Sequence, residues 1–417
     1  MTDIKPYGIT SGDKHMPKPI SPAEVAVFIG VDVGKDTHHA VALDRTGKRL
    51  YDRALPNDEG QLRAMIAALR HHGALLLVVD QPSTIGALPV TVARSEGITV
   101  GCLPGLAMRR IADLHPGEAK TDARDAAIIA EAARTLPHAL RALRADSDDL
   151  TELSVLCGFD DDLTAQITQV QNRIRGLLTQ IHPALERVTG PRLGHAAVLE
   201  LLASHPSPAQ LAACGEEQLA AELKALAPRM YRRLARDIMQ ALSEQSVVVP
   251  GTASAAAVLP CLCAQLQVLR GQRSQIGDKI EQLAASHPLY PVLTSMPGVG
   301  VRTAARLLTE VVSRDFPSAA HLAAYAGLAP VTRRSGISVR GEHVSRRGNR
   351  VLKRAMFLTA FAALRNPESR VYYDAKIAQG KRHNQALLAL AHRRCSVLFA
   401  MIRDNRPYAP PQLAQAA

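Results

Sequence analysis

The chain has 417 residues and a formal net charge of +12, too long for one ordinary core and basic enough that nucleic acid leads the expected partners, beside the plainer reading of a basic enzyme with a solvated surface. It has no N-terminal apolar segment and no uninterrupted run of 18 or more apolar residues, so neither secretion nor membrane spanning is expected. Six scattered cysteines, with Cys261 and Cys263 lacking zinc-site CxxC spacing, read as reduced thiols of a cytoplasmic protein, and 3% aromatics with no Trp argue against base stacking as the main mode of binding.

Residues 1–22 are polar and rich in Pro and Gly, a disordered extension by composition. Strands are predicted at Val25–Asp32, His39–Leu43 and Lys48–Leu55, with Asp44-Arg-Thr-Gly47 as a hairpin turn. A helix over Glu59–His72 follows from the spacing of Leu62, Met65, Ile66 and Leu69. Strand Leu75–Asp80, helix Ile85–Ser95, strand Ile98–Leu103 and helix Thr121–Thr135 complete an α/β layer domain over 23–145. That element order is the order of the ribonuclease H-like fold.

From Leu150 the texture becomes helical. Leu163, Ile167, Val170, Ile174, Leu177 and Ile181 form one heptad seam, and Leu262, Leu266, Leu269, Ile276, Ile280 and Leu283 form a second that Arg273 interrupts. Residues 186–250 between them are helical, with prolines as punctuation. Residues 146–290 are therefore expected to be an antiparallel helical arm with an inserted helical subdomain, although a bundle inside one monomer would carry the same seams. Over 291–405, before a tail at 406–417, Ser295-Met-Pro-Gly-Val-Gly300 followed by Thr303-Ala-Ala-Arg-Leu-Leu308 resembles a helix-hairpin-helix element. Its Gly298 and Gly300 would let backbone and a helix N-terminus approach a phosphate.

Asp32 and Asp80 end apolar strands, where a rigid sheet holds a carboxylate that still reaches solvent. Asp122 and Asp125 lie three apart on one helical face in Lys120-Thr-Asp-Ala-Arg-Asp-Ala. Four hard oxygen donors suit Mg²⁺ or Mn²⁺, and two ions about 3.5–4 Å apart would serve the attacking and leaving oxygens of an in-line displacement. Taken singly, each acid also reads as a cap or turn residue, with Thr121 an N-cap. Ser335 stands in a loop-like segment between Arg333, Arg334 and Arg340, followed by Arg346, Arg347, Arg350, Lys353 and Arg354, with Glu342 the one opposing acid. Such a field would hold phosphates and favour a serine alkoxide, or would simply be a basic nucleic-acid-binding loop; Ser338 and Ser345 are rival serines.

The segments IGVDVGKD, LLLVVD, KTDARDAAIIAEAAR, SMPGVGVRTAARLL, FPSAAHLAAYAGLAP and RRSGISVRGEHVSRRGNRVLKRAMF, in this order over about residues 25–365, resemble the IS-one-ten-type insertion-sequence transposases. These are the DEDD transposases, relatives of the Piv pilin-gene invertase. The resemblance implies a RuvC-like N-terminal domain, a coiled-coil segment and a small, mainly α C-terminal transposase domain. It places the family's metal-binding acids on Asp32, Asp80, Asp122 and Asp125, and its nucleophile on Ser335. The family commonly has Glu where this chain has Asp80, which would set an ion about one methylene closer to the strand. The implied activity is DNA transposition through a 5′-phosphoserine link, with two Mg²⁺ or Mn²⁺ ions, DNA ends and target as substrates, and a non-coding guide RNA. A homo-oligomer, dimer or tetramer, would assemble through the helical arm and bring Ser335 to the acids of another subunit. The expected location is the bacterial cytoplasm, at the nucleoid when active. The alternatives are a water-using junction-resolvase-like nuclease, a site-specific invertase, or a helix-hairpin-helix binding protein without activity.

Overall fold

A computed structural model describes residues 24–115, 121–143, 148–312, 314, 316–335, 338–345 and 347–410. The extension expected at 1–22, Arg346 and the end of the tail lie outside the described residues. The chain divides into two compact units, Met1–Ala145 and Asp146–Ala417.

In the first unit, β1 (Val27–Asp32), β2 (Thr37–Asp44) and β3 (Arg49–Pro56) form an antiparallel meander. Its tight turn forms because Asp44 Oδ1 accepts from the Thr46 and Lys48 amides at 2.8 and 2.9 Å, while Gly47 supplies φ +89°. Helix α1 (Glu59–Arg70) starts at Asp58, whose carboxylate caps the Gln61 amide, and buries the four apolar residues of its stripe. Strand β4 (Leu75–Val79) returns parallel to β1, Val31 opposite Val79. Next come α2 (Ala87–Ser95), β5 (Thr99–Cys102) parallel to β4, α3 (Gly105–Ala112), α4 (Asp122–Thr135) and β6 (Arg141–Ala142), antiparallel to β5. The sheet order is β3-β2-β1-β4-β5-β6. Sequence reasoning missed α3 and β6 because α3 buries no residue of its own and β6 has two residues, too few for a period.

The second unit is built on two long helices, α5 (Asp148–Ile181) and α10 (Thr252–Ser286), which pack along each other. Between them stand α6 (Pro183–Thr189), α7 (Ala196–Ser204), α8 (Pro208–Leu226) and α9 (Tyr231–Ser243). Leu163, Val170, Ile174, Leu178 and Ile181 share a core with Leu259, Leu262, Cys263, Leu266 and Leu269, so the seam is filled within one chain. Leu178 is buried where the strict heptad put Leu177, because a straight helix drifts from the 3.5-residue repeat. Arg273, the break in the second seam, meets Asp160 of α5, which accepts from its Nε at 3.0 Å and from Arg302 Nε at 3.2 Å.

The remainder is α11 (Tyr290–Thr294), α12 (Val301–Leu307), a π turn at Leu308–Val312, α13 (Ala319–Tyr325), the hairpin β7 (Pro330–Ser335) and β8 (Ser338–Val344), α14 (Arg350–Ala362), α15 (Pro367–Ala378) and α16 (His383–Asp404). By length and composition α10 and α16 are apolar enough to cross a membrane, although neither contains an uninterrupted run of 18 apolar residues. Both bury a face inside the protein, α10 against α5 and α16 in the core with Met296, Leu352 and Met356.

Candidate active site and nucleic-acid interface

Side-chain alternation places the first two acids. Val27, Ile29 and Val31 of β1 and Leu75, Leu77 and Val79 of β4 enter one core with α1 and α2 residues. Phe28, Leu76 and Val78 turn to the opposite face, against Ile129, Ala132 and Ala133 of α4. Asp32 and Asp80 continue the even-numbered set, so both stand on the α4 face at the carboxyl ends of neighbouring parallel strands. Gly30 lets α4 come close: a Cβ there would lie 2.3 Å from both the Ala126 carbonyl oxygen and the Ala130 nitrogen. The C-terminal half of α4 packs near the start of β1, so its N-terminal turn, with Asp122 and Asp125, lies toward the end that carries Asp32. The structure thus gathers the four acids at one end of the sheet.

Thr121 Oγ1 accepts from the Arg124 amide at 3.2 Å, which confirms the cap, and the two acids complement the positive end of the helix. Arg124 also donates to the His115 carbonyl at 3.0 Å. Asp122 is exposed; Asp32, Asp80 and Asp125 are half-buried. Among the described residues, no three of these carboxylates bring oxygens within 4.8 Å of one another. Asp80 Oδ1 is buried with no hydrogen-bond partner, and Gln81 Nε2 reaches only Oδ2, at 3.4 Å. A buried carboxylate oxygen left unpaired is costly, and a divalent cation would satisfy it. The oxygen-only donor set fits Mg²⁺ or Mn²⁺.

Sequence reasoning missed His38, buried on β2 beneath this end of the sheet. Its Nδ1 accepts from the Gly34 amide at 3.1 Å, and burial pushes its pKa below the ordinary histidine value, against smaller opposing contributions from Asn57 and Gly34.

In the second unit Ser335 is not in a loop: it ends β7 and pairs with Ser338 at the start of β8. Gly336 and Ile337 lie outside the described residues, as do the side chains of 332–344, including those of Arg333, Arg334, Ser335 and Arg340. The next turn is firmly built. Ser345 Oγ accepts from the Arg347 amide at 3.1 Å, so this rival serine has a structural task. Gly348 has φ +100° against Gly327. Asn349 caps α14 through the Leu352 amide at 2.8 Å while its Nδ2 donates to Glu310 Oε2 at 2.5 Å and Tyr325 Oη at 2.8 Å. Arg347, Arg350 and Arg354 are exposed. Lys353 is half-buried, donates to the Ser345 carbonyl at 2.9 Å, and has its pKa lowered by burial.

The glycine turn between α11 and α12 packs against α14 at Gly298. Gly298, at φ +82°, lies so close to α14 that a Cβ would sit 2.6 Å from the Thr359 carbonyl. Buried Arg394 ties the turn by donating to the Pro297 carbonyl and, at 3.3 Å, to Thr359 Oγ1, and desolvation pulls its pKa down to about 10. Gly300 is open, and the start of α12 borders a cleft of about 470 Å³ whose lining carries both signs of charge, Asp278 and Glu281 beside Arg302. The basic residues of α12 are ion-paired, Arg302 with Asp160 and Arg306 with Asp161 at 2.5 Å.

Carboxylates at one edge of a mixed sheet, on a strongly basic chain, are compatible with an enzyme of the phosphodiester backbone, and comparison with known proteins gives the class. Residues 29–183 match a family described as transposase, and residues 290–374 match the transposase family IS116/IS110/IS902. A 43.6 kDa protein of insertion element IS110 from Streptomyces coelicolor is 57% identical over 92% of this chain and 96% of its own. A 42 kDa protein of IS900 from Mycobacterium paratuberculosis is 36% identical over 94% of this chain and 99% of its own. The pilin gene-inverting protein of Moraxella bovis is 33% identical over 32% of this chain and 44% of its own. The chain belongs to the IS110/IS116/IS902 family of transposases, and it is a DNA transposase/recombinase.

Proposed function

We propose that this transposase excises and inserts its own element with Ser335 as nucleophile and Asp32, Asp80, Asp122 and Asp125 as the ligands of two Mg²⁺ or Mn²⁺ ions. The observation that carries the metal assignment is the buried, unpartnered Asp80 Oδ1 at the carboxyl edge of the sheet, beside the strand that ends in Asp32. The sheet order β3-β2-β1-β4-β5, antiparallel then parallel, supports a RuvC-like, ribonuclease H-like reading of the first unit. Bound ions would supply charge neutralisation for the serine oxygen and the departing oxygen.

The chain's own residues do the rest. The Ser335 oxygen bonds to phosphorus, the bond from phosphorus to the 3′-oxygen breaks, and the hydroxyl proton is delivered to that oxygen. The strand is left as a free 3′-hydroxyl and a 5′-phosphoserine, which a later 3′-hydroxyl attacks in reverse. Arg347, Arg350 and Arg354 hold phosphates, with Arg333, Arg334, Arg340, Arg346 and Lys353 extending the same basic run and the Gly298–Gly300 turn as a further phosphate contact; Lys353 also ties Ser345, and Gly298 also packs on α14. The +12 charge and the 3% aromatic content support recognition through backbone phosphates and a base-pairing guide RNA rather than through stacked bases. Assembly into a homo-oligomer through the long helices, acting at the nucleoid, completes the reading.

The test is adduct trapping on nicked element-end DNA. Wild type should leave DNA covalently on the protein, and Ser335→Ala should bind DNA but neither nick nor couple. Cleavage by wild type with no adduct at any stage would replace this mechanism by a water-using nuclease. An adduct that survives in Ser335→Ala would move the nucleophile to another serine.

A further inference from the structure

We propose that His205, Cys214 and Glu222 form a binding site for a zinc-class divalent ion in the helical subdomain, separate from the aspartates. These three are the one group of His, Cys and acidic residues among the described residues whose ligand atoms all lie within 4.8 Å of one another. His205 follows the last turn of α7; Cys214 and Glu222 lie either side of a break in α8, where Gly215 leaves helical geometry at φ 72° and ψ 168°. The break re-aims the chain so that two residues eight apart face one histidine.

His205 Nε2 stands 2.8 Å from Glu222 Oε2, and Cys214 Sγ stands 3.4 Å from His205 Nδ1 and 3.8 Å from Nε2. Zinc bonds of about 2.0–2.3 Å in a tetrahedron separate neighbouring ligand atoms by roughly 3.3–3.7 Å. Small side-chain movements therefore convert the present hydrogen-bonded trio into three ligands on one ion. Gln218 Nε2 donates to the other Glu222 oxygen at 3.0 Å and orients the carboxylate, as outer partners of metal ligands do. His205 and Cys214 are half-buried and Glu222 is exposed, so an ion can enter and keep a water as fourth ligand.

Thiolate, imidazole and carboxylate together select zinc or cobalt and not magnesium. The same trio could resemble a thiol nucleophile with its base, but burial and the Glu222 charge raise the Cys214 pKa, opposite to what a nucleophile needs. A bound ion would displace the thiol proton and clasp α7 to both halves of the broken α8.

The experiment titrates the chelator-stripped full-length protein with Co²⁺ and then Zn²⁺. One equivalent of Co²⁺ should give a sulfur-to-cobalt charge-transfer band that Zn²⁺ removes and excess Mg²⁺ does not. The band should persist in Cys261→Ser, which removes the exposed thiol, and vanish in Cys214→Ser. A second readout is alkylation by iodoacetamide, mapped by mass spectrometry: Zn²⁺ should protect Cys214 in wild type and not in His205→Ala or Glu222→Gln. The proposal fails if wild type shows no stoichiometric band, if the band survives in Cys214→Ser, or if Zn²⁺ leaves Cys214 alkylation unchanged.

Discussion

Asp80 shows how one side chain can oppose stability and serve function. Its Oδ1 is buried without a partner, so in metal-free protein it carries a desolvation cost. Asp80→Asn should raise the melting temperature by a few degrees without Mg²⁺, abolish the further rise that Mg²⁺ gives wild type, and eliminate DNA cleavage. A variant that is less stable in EDTA yet still responds to Mg²⁺ would show that Asp80 is a structural residue. His38 opposes stability in a different pH range. Its folded pKa lies below the unfolded value of 6.5 because burial disfavours the imidazolium, and His182 and His287 are lowered for the same reason. Above about pH 6.5 neither state holds the extra proton. As pH falls through the window between 6.5 and the folded value, the unfolded chain takes up protons that the folded chain refuses, and stability is lost. Urea unfolding from about pH 7 to about pH 5 should show a shallower loss in His38→Gln than in wild type; parallel curves would mean His38 is not part of that loss.

At the scale of elements, the closest approach that builds the site is α4 on β1. Gly30 permits it, since any Cβ would collide with the Ala126 and Ala130 backbone, which cannot rotate away. Gly30→Ala should therefore cost about 1–3 kcal/mol by overpacking. It should also lift α4, so that Mg²⁺ stabilisation and cleavage fall further than the loss of global stability explains. Differential melting with and without Mg²⁺ on the same sample separates the two effects, and an unchanged Mg²⁺ response would show that α4 does not carry ligands. The long-helix pair follows the same physics on a larger scale. Val170 and Ile174 are buried by α10 of the same chain, so an oligomer through these helices must use their outer faces, where Val155 and Phe159 of α5 are exposed.

Over the whole molecule, the net charge of +12 makes association with DNA or RNA a counterion-release process. Arg347, Arg350 and Arg354 are exposed around the start of α14, and replacing all three with Gln should flatten the dependence of log K on log salt by about 2–3 for duplex DNA. Fluorescence anisotropy across a salt series measures the slope. If it does not change, these arginines are solvated surface and the contacts lie elsewhere.

The apolar runs that end in Asp32 and Asp80, the α1 stripe and the heptads of α5 were legible because period and burial are local properties of a sequence: a strand or helix that buries one face must repeat every two or every three to four residues. The acids' meeting place was only half legible. Their positions at strand ends and on one helical turn lie in the sequence, but the direction of α4 across the sheet comes from Gly30 and the core around Ile129. Ser335 read as loop because a two-strand hairpin rich in arginine leaves no apolar alternation, and only the pairing with Ser338 makes it a strand end. The Gly298 turn was half legible for a related reason: glycine marks close approach, and only the tertiary fold shows that α14 is what lies opposite it. His205, Cys214 and Glu222 carry no recognisable spacing, because the break at Gly215, not a local repeat, brings them together.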